Sequence, residues 1–419
     1  MTHNRLFVVT TLMCAVPIVV SAQRNNSPGN GTSFSTSRLA RIDSTMTRLV
    51  AEKKVPGVVA MIVKDGRVVY HKAFGVRDLD SKAPQRTDDI FRIFSQTKAV
   101  TSLAAMLLWE EGKFSLDDPV GKFIPEFKEQ TVLTKFNKAD STYEAKKAQR
   151  RITIRQLFTH SSGIDYASIG SEEFQAVYAK AGVPAVGREG DKLGEKMRAL
   201  GKLPLVHEPG ERFTYSLSID LLGYLVEVWS GMPLDRFMRM RIFEPLKMHD
   251  TWFELPRDKH TRLVALHEEQ EEKLRALRDT SEGLGGLTPN YPLRPTTYFA
   301  GGAGLSSTTA DYARFLQMFL NGGELDGVRL LSRKTVELIL QDHIPRLATK
   351  HGLGFAIETS ETDYRTVLTE GSYYWGGAAN TSYWVDPKER LIGLVYTNVL
   401  GSTVPLGDLF KTLVYSAMQ

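Results

Sequence analysis

The chain has 419 residues, of which 42% are hydrophobic and 24% charged, and its formal net charge is +5. This composition is typical of a globular protein, and the length allows one large domain or two. The basic residues are scattered, and the densest basic run, 146–151, is short and contains no aromatic residue. The charge pattern therefore does not favour a nucleic-acid partner.

The first 22 residues have the pattern of a secretory signal peptide. Arg5 supplies a positive start, residues 6–20 form an apolar run too short to span a bilayer comfortably, and Ser21 and Ala22 are small residues near the cleavage position. Removing residues 1–22 takes away Arg5 and no acidic residue, so the net charge falls from +5 to +4. We expect an exported protein, periplasmic or secreted, without a transmembrane anchor.

The only cysteine, Cys14, lies inside this segment. The mature chain would therefore contain no disulfide, no catalytic thiol and no cysteine-ligated metal. Residues 267–273, HEEQEEK, lack the second histidine of a zinc-binding helix. We expect neither a metal nor a cofactor. Residues 23–35 are polar and rich in Gly, Pro and Ser, as in a flexible leader.

The next elements are a helix, a hairpin and a second helix. Apolar residues recur at helical spacing at Leu39, Ile42, Met46, Leu49 and Val50. Two β-branched runs then flank Asp65-Gly66, a dipeptide that strongly predicts a hairpin turn. Ser95 is predicted to open a helix that ends near Gly112.

The middle of the chain, about 116–289, is mostly helical or irregular in pattern and carries long polar insertions near 127–150 and 255–296. Strand-like runs return late in the chain, and the last segment again has helical periodicity. The late strands are predicted at 351–359, 381–387 and 390–398, and the last helix at 405–419.

Strands at both ends with helices between them predict an α+β fold, in which one antiparallel sheet is assembled from the two ends of the chain and flanked by helices. The predicted sheet domain comprises residues 36–115 and 290–419. A mainly helical subdomain, 116–289, is inserted between these two parts.

Ser95 and Lys98 are the first candidates for chemistry. Residues three apart on a helix are neighbours, and the first helical turn offers unpaired backbone N–H groups. A serine hydroxyl becomes a nucleophile when a base takes its proton, and burial can prepare a lysine for that task. The alternative is that Ser95 only caps the helix and Lys98 is solvated.

Three later segments contain further candidates. A His-Ser-Ser-Gly turn begins at His160, a Tyr215-Ser216 step precedes a long helix, and Gly376-Gly377 leads into two strands. No Gly-x-Ser-x-Gly elbow occurs, so we interpret His160 as a turn residue that shapes the floor of the site rather than as a catalytic base.

Taken in order, Ser-x-x-Lys, His-x-Ser-Gly, Tyr-Ser-x and a late Gly-Gly strand resemble the serine hydrolases of the class C β-lactamase and penicillin-binding DD-peptidase type, and especially the family VIII carboxylesterases. The resemblance covers nearly all of residues 36–419. It implies a β-lactamase-like sheet, with Ser95 as the acylated nucleophile and Lys98 as the residue that holds or removes its proton. It also implies that Tyr215 is the general base that then protonates the leaving group. The oxyanion hole would be the backbone N–H groups of Ser95 and Ala378.

Two departures from the lactamase and peptidase pattern favour the esterase branch. Those enzymes carry Tyr-x-Asn where this chain has Leu217, and Lys-Thr-Gly where it has Trp375, Gly376 and Gly377. An apolar ring replaces a cation, which disfavours anionic substrates. We expect Trp375 to line the substrate pocket, Gly376 and Gly377 to let the substrate approach the strand, and Leu217 to stand where an amide would bind an acylamido group.

The sequence thus predicts an exported serine esterase that cleaves a small ester through an acyl-serine intermediate. The alternatives are a class C-type β-lactamase or a DD-peptidase or D-aminopeptidase acting on an amide, and a non-catalytic binding protein on the same fold. The physiological substrate and the oligomeric state are not determined by these patterns.

Overall fold

The computed structural model describes Met1 and residues 34–187, 190–278 and 289–419. Apart from Met1, the expected signal peptide, with Cys14, lies outside the described residues, as do residues 23–33 of the expected leader. The α-helices of the described chain are α1 Thr36–Ala51, α2 Thr97–Glu110, α3 Ile154–Phe158, α4 Glu172–Lys180, α5 Leu193–Leu200, α6 Ser218–Ser230, α7 Leu234–Met238, α8 Thr309–Leu320, α9 Arg333–Ile339 and α10 Leu406–Ala417.

The strands are mostly short and come from all parts of the chain. They are β1 Gly57–Lys64, β2 Arg67–Gly75, β3 Phe91–Arg92, β4 Thr131–Asn137, β5 Thr142–Lys147, β6 His267–Gln270, β7 Lys273–Ala276, β8 Ser306–Ser307, β9 Glu324–Leu325, β10 Val328–Arg329, β11 Ala356–Ile357, β12 Tyr373–Gly377, β13 Thr381–Asp386, β14 Leu391–Tyr396 and β15 Val399–Leu400.

A six-stranded sheet in the order β11-β12-β13-β14-β1-β2 is the centre of the fold. All of its pairings are antiparallel, and the early strand β1 lies between its neighbour β2 and the late strand β14. The predicted α+β class, with one sheet built from both ends of the chain, is confirmed.

The sheet is covered on both faces, and β1 shows it directly. All eight residues of β1 are buried. Successive side chains point to opposite faces of a strand. Val58, Ala60 and Ile62 accordingly pack with α1 and α10, whereas Val59 and Met61 join the larger core that contains α2 and α8. Two buried faces explain why this segment is a continuous apolar run instead of an alternating one.

The hairpin between β1 and β2 turns at the predicted dipeptide. Asp65 and Gly66 both have positive φ, +52° and +74°, as the right-handed strand twist requires of a two-residue turn. In helix α1, the side chains of Ile42, Met46 and Leu49 are buried, which matches the predicted helical stripe.

The two polar insertions contain strands that the periodicity did not predict. The first insertion forms the antiparallel hairpin β4–β5. The second contains the antiparallel pair β6–β7, and β6 also pairs in parallel with β15, which gives a small three-stranded sheet. These strands lie mostly at the surface, and β5, β6 and β7 are rich in Lys, Glu and Arg, so no alternation of apolar residues marks those three. Between the two predicted parts of the sheet domain, the described residues contain helices α3 to α7 as well as these two hairpins.

Helices α2 and α6 pack closely and bring the two parts of the site together. A Cβ added at Gly223 of α6 would lie 3.7 Å from Cγ2 of Thr101 in α2. The Thr101 hydroxyl also donates to the carbonyl of Gly301 at 2.7 Å. Small residues at this crossing therefore set the depth at which α2 is buried. Among the described residues, no helix is long and apolar enough to cross a membrane.

Candidate active site

Ser95 lies in a 3₁₀ turn, Phe94–Gln96, that leads directly into α2. The helix itself begins at Thr97, two residues after the predicted start, and the Ser95 hydroxyl does not cap it. Phe94 has a positive φ of +44°, a conformation that is costly for a bulky residue. This turn lifts Ser95 out of the helix, so that its half-buried side chain faces the other candidates.

The turn is held by side chains from the sheet and from α8. The hydroxyl of Tyr396 in β14 donates to Oε1 of Gln96 at 2.5 Å, and that of Tyr312 in α8 donates to the Gln96 carbonyl at 2.8 Å. On the other side, a Cβ added at Gly377 would lie only 2.4 Å from the carbonyl oxygen of Ile93. The end of β12 therefore lies directly against the turn that carries Ser95.

Three of the predicted residues meet at the Ser95 hydroxyl. The Tyr215 hydroxyl donates to Ser95 Oγ at 2.6 Å, and Lys98 Nζ donates to the same oxygen at 3.3 Å. Lys98 lies in the first turn of α2, and Tyr215 lies in the loop before α6. An oxygen in this position can pass its proton to a neighbour as it attacks a carbonyl carbon, which is the arrangement that nucleophilic catalysis requires.

Lys98 is held in place by backbone and aromatic groups. Only 2% of its surface is exposed, and Nζ donates to the carbonyl of Gly302 at 2.7 Å. The same nitrogen lies 4.5 Å from the ring centre of Tyr215 and 5.5 Å from that of Tyr166, so it is close to the π-faces that stabilise a cation. Lys98 is therefore not the solvated side chain of the alternative interpretation.

His160 holds the Tyr215 segment without reaching Ser95. Its carbonyl accepts from the Thr214 N–H at 2.7 Å, and its Nδ1 accepts from the Ser216 N–H at 3.2 Å. Burial, together with the charges of His351 and Lys98, holds the pKa of His160 well below its usual range. A neutral imidazole with Nδ1 occupied by a backbone donor fixes the loop on either side of Tyr215, which agrees with the structural role expected from the sequence.

Aromatic rings form the wall beside the Ser95 hydroxyl. Tyr166 stacks on Tyr215 with ring centres 5.6 Å apart, and Trp375 lies 5.7 Å from Tyr215. The rings of His351 and Trp375 are nearly perpendicular with their centres 5.5 Å apart, and burial lowers the pKa of His351 to about 4. The wall is therefore aromatic, and its histidine is neutral at neutral pH.

The two segments predicted to form the oxyanion hole end close together. Ala378 is exposed and directly follows β12, next to the half-buried Gly376 and Gly377. The Ser95 N–H belongs to the 3₁₀ turn before α2, and the first N–H groups of a helical segment have no acceptor within that segment. The ends of the two segments that would supply the oxyanion hole are thus adjacent.

Leu217 does not reach the surface of the site. Its side chain is fully buried in the main core, and its N–H donates to the Asp165 carbonyl at 3.1 Å. In this structure it offers no surface to a ligand, so its contribution is to pack the start of α6.

Asp220 was not singled out from the sequence. Its side chain is fully buried, and Oδ1 accepts from the Gly302 N–H at 3.1 Å. An acid inside the mostly apolar run 217–226 was the available signal, because charged residues are rarely fully buried without a partner. Tyr166 and His351 carried no such signal, since isolated aromatic residues are common in cores.

The comparisons with known proteins agree with this geometry. Residues 42–413 match the family model described as Beta-lactamase. The chain is 29% identical to Esterase EstB of Burkholderia gladioli over 395 residues, which cover 90% of this chain and 95% of that protein. It is 31% identical to the lovastatin esterase of Penicillium rubens over 403 residues, covering 89% and 95%.

A solved structure shows the same likeness in three dimensions. EstCE1, described as a hydrolase with promiscuous acyltransferase activity, superposes with a TM-score of 0.76 at 26% identity, covering 90% of this chain and 99% of that chain. The family match, residues 42–413, includes the sheet, the helices between its two parts and the turn at Ser95. The chain therefore belongs to the beta-lactamase family, and within it is a serine hydrolase of the carboxylesterase type.

Proposed function

We propose that this protein cleaves small, uncharged esters through an acyl-enzyme formed on Ser95. The observation that carries the proposal is the convergence of Tyr215 and Lys98 on Ser95 Oγ, at 2.6 and 3.3 Å. Both distances allow direct proton transfer or hydrogen bonding during the reaction.

In the proposed mechanism, Tyr215 as phenolate takes the proton of Ser95 while Oγ attacks the ester carbonyl. The Lys98 ammonium, beside the Tyr215 ring, stabilises that phenolate. Tyr215 then gives the proton to the departing alkoxide, leaving an acyl-serine and a free alcohol. Water is activated in the same way, and hydrolysis of the acyl-serine restores Ser95. The backbone N–H groups of Ser95 and Ala378 would stabilise the tetrahedral oxyanion.

The nature of the wall supports uncharged substrates. Trp375 stands where related lactamases and peptidases place a lysine, and its ring neighbour His351, whose pKa burial lowers to about 4, carries no charge at neutral pH. A substrate carboxylate would lose its hydration against this wall without gaining an ion pair. An ester with an apolar acyl group loses no such interaction, which favours cleavage of esters over that of penicillin-like or peptide substrates.

The test compares wild type with Ser95→Ala on a short-chain p-nitrophenyl ester and, separately, on a chromogenic cephalosporin. We expect ester cleavage that requires Ser95, with little lactam turnover. Rapid lactam turnover would support the β-lactamase or peptidase alternative. Full ester cleavage by Ser95→Ala would contradict the mechanism. Failure of a fluorophosphonate probe to label folded wild type would favour a non-catalytic binding protein.

We further propose that the enzyme is exported, because residues 1–22 have the composition of a signal peptide. Expression of the full chain in a bacterial host, followed by cell fractionation and N-terminal sequencing, tests this. We expect a mature form beginning near Gln23 outside the cytoplasm. An uncleaved chain in the cytoplasm would contradict the proposal.

A further inference from the structure

Asp220 is a buried carboxylate connected to Lys98 through one glycine. The Gly302 N–H donates to Asp220 Oδ1 at 3.1 Å, while the Gly302 carbonyl accepts from Lys98 Nζ at 2.7 Å. Gly302 therefore touches both an anion and a cation with its own backbone. Neither Asp220 nor Gly302 belongs to the residues that the mechanism above requires.

The contact leaves no room for a side chain. A Cβ at Gly302 would lie 2.3 Å from Asp220 Oδ2, so the backbone lies directly against the carboxylate. Among the described residues, Oδ2 has no hydrogen-bond partner. A fully buried carboxylate with one unsatisfied oxygen is expensive to keep. A positive charge close to the Asp220 carboxylate would offset this cost.

Lys98 is that charge. Its ammonium opposes the effect of burial on Asp220, whose pKa is nevertheless raised to about 6. The attraction is reciprocal, since a cation that favours the ionised carboxylate is itself favoured by it. In a site with little water such an interaction is far stronger than at the surface.

The other ionisable groups around this pair are Tyr166, Tyr215, Tyr298, His160, His351 and, beyond Tyr298, Asp191. Burial and then the charge of Asp220 hold the pKa values of Tyr166 and Tyr298 well above their usual range. The histidine pKa values are lowered by burial, that of His351 to about 4.

We propose that Asp220 is a positioning residue that keeps Lys98 as an ammonium, held through Gly302 against Ser95 Oγ and the Tyr215 ring. This inference rests on the proposed esterase mechanism and adds the group that maintains the charge of Lys98. Lys98 retains its proton throughout, and the proton of Ser95 passes to Tyr215 and then to the leaving alcohol. Lys98 therefore acts through its charge and not as a neutral base.

The test is the pH dependence of Asp220→Asn. The amide preserves the shape and the Oδ1 acceptor for Gly302 but removes the charge. For wild type we expect kcat on a p-nitrophenyl ester to fall as the pH drops through about 6, when Asp220 is protonated. For Asp220→Asn we expect kcat at pH 7.5 to be roughly 10- to 100-fold lower, with little change in KM and no acid limb near pH 6.

Asp311→Asn is the matched control. Asp311 is another buried carboxylate whose pKa burial raises to about 6, but it accepts from the Asp250 N–H and the Thr251 hydroxyl instead of facing Lys98. We expect Asp311→Asn to keep the wild-type kcat and acid limb. If Asp220→Asn does not fold, Gly302→Ala displaces the carboxylate from the other side and should show the same loss of kcat.

The rate at which a fluorophosphonate probe labels Ser95 gives a second readout that needs no ester. If wild type cleaves esters and is labelled, but Asp220→Asn keeps the same kcat and acid limb, the inference is wrong and the proposed function stands. If wild type neither cleaves esters nor is labelled at Ser95, both are wrong.

Discussion

The Tyr215 hydroxyl lies 2.6 Å from Ser95 Oγ, although the two residues are 120 positions apart in the chain. Ser95 is carried by the turn before α2, and Tyr215 by the loop before α6. Their distance is therefore set by the packing of these two helices and by His160, which holds the backbone on both sides of Tyr215. A site of this kind exists only in the folded chain.

Replacing Tyr215 with Phe removes the hydroxyl and keeps the ring. We expect kcat/KM for a short-chain ester to fall roughly 10²–10⁴-fold, the usual contribution of a general acid–base group. The stacking with Tyr166 and Trp375 remains, so the thermal midpoint should change little. Steady-state kinetics and a melting curve check this. A variant that is equally active would show that Tyr215 is not the base.

Replacing Trp375 with Ala should change which acyl chains are accepted. The substitution removes the ring that contacts Tyr215 and His351 and enlarges the pocket. We expect KM for a short-chain ester to rise roughly tenfold, or about 1.4 kcal/mol of lost contact, while longer chains gain relative to short ones. A series of p-nitrophenyl esters measures the profile. Trp229→Phe is the control, because Trp229 stacks on Phe114 and makes no ring contact with Tyr215.

Replacing Gly377 with Ala should separate β12 from the nucleophile turn, since the added Cβ would lie 2.4 Å from the Ile93 carbonyl. If Ala378 supplies an oxyanion donor, kcat should fall roughly 10²–10³-fold. The unfolding free energy should fall by about 1–3 kcal/mol. In Gly121→Ala, the new Cβ meets the backbone of Lys128 at 2.8 Å, away from Ser95. This control should lose stability without a comparable loss of kcat.

Asp220 should make the fold less stable as the pH rises. Its pKa of about 6 in the folded protein exceeds the ordinary value of 3.8, so the folded state retains this proton to higher pH than the unfolded chain. The contribution to stability is complete below about pH 4 and is lost as the pH rises through 6. It amounts to at most about 3 kcal/mol.

Asp220→Asn removes this dependence. The free energy of unfolding of the variant minus that of wild type should therefore be larger at pH 8 than at pH 4, which means that the variant gains stability relative to wild type as the pH rises, even though its activity is lower. Urea unfolding of both proteins at the two pH values measures the difference. An unchanged difference between variant and wild type would show that Asp220 ionises at its ordinary value.

Much of the local structure followed from neighbouring residues. The Asp65-Gly66 turn, the helical stripe of α1 and the last two sheet strands, β13 and β14, were predictable because turn geometry and side-chain periodicity depend on residues close in sequence. The strand predicted at 351–359 is wrong in extent, since only Ala356–Ile357 is a strand there. The Ser-x-x-Lys spacing likewise placed Ser95 and Lys98 one turn apart. The predicted domain boundaries and catalytic roles stay predictions until they are measured.

Packing decided the rest. Ser95 lies in a 3₁₀ turn and not in the helix because contacts from β14, α8 and β12 hold it there. The hairpins of the insertions were not predicted, because most of their strands are charged and exposed and lack an apolar pattern. The link from Asp220 through Gly302 to Lys98 joins residues from three distant segments. The sequence by itself determined which side chains were available for chemistry. Only the burial of α2 against α6 and the Gly301-Gly302 backbone decided which charge faces Lys98, because such contacts depend on residues that are far apart in the chain.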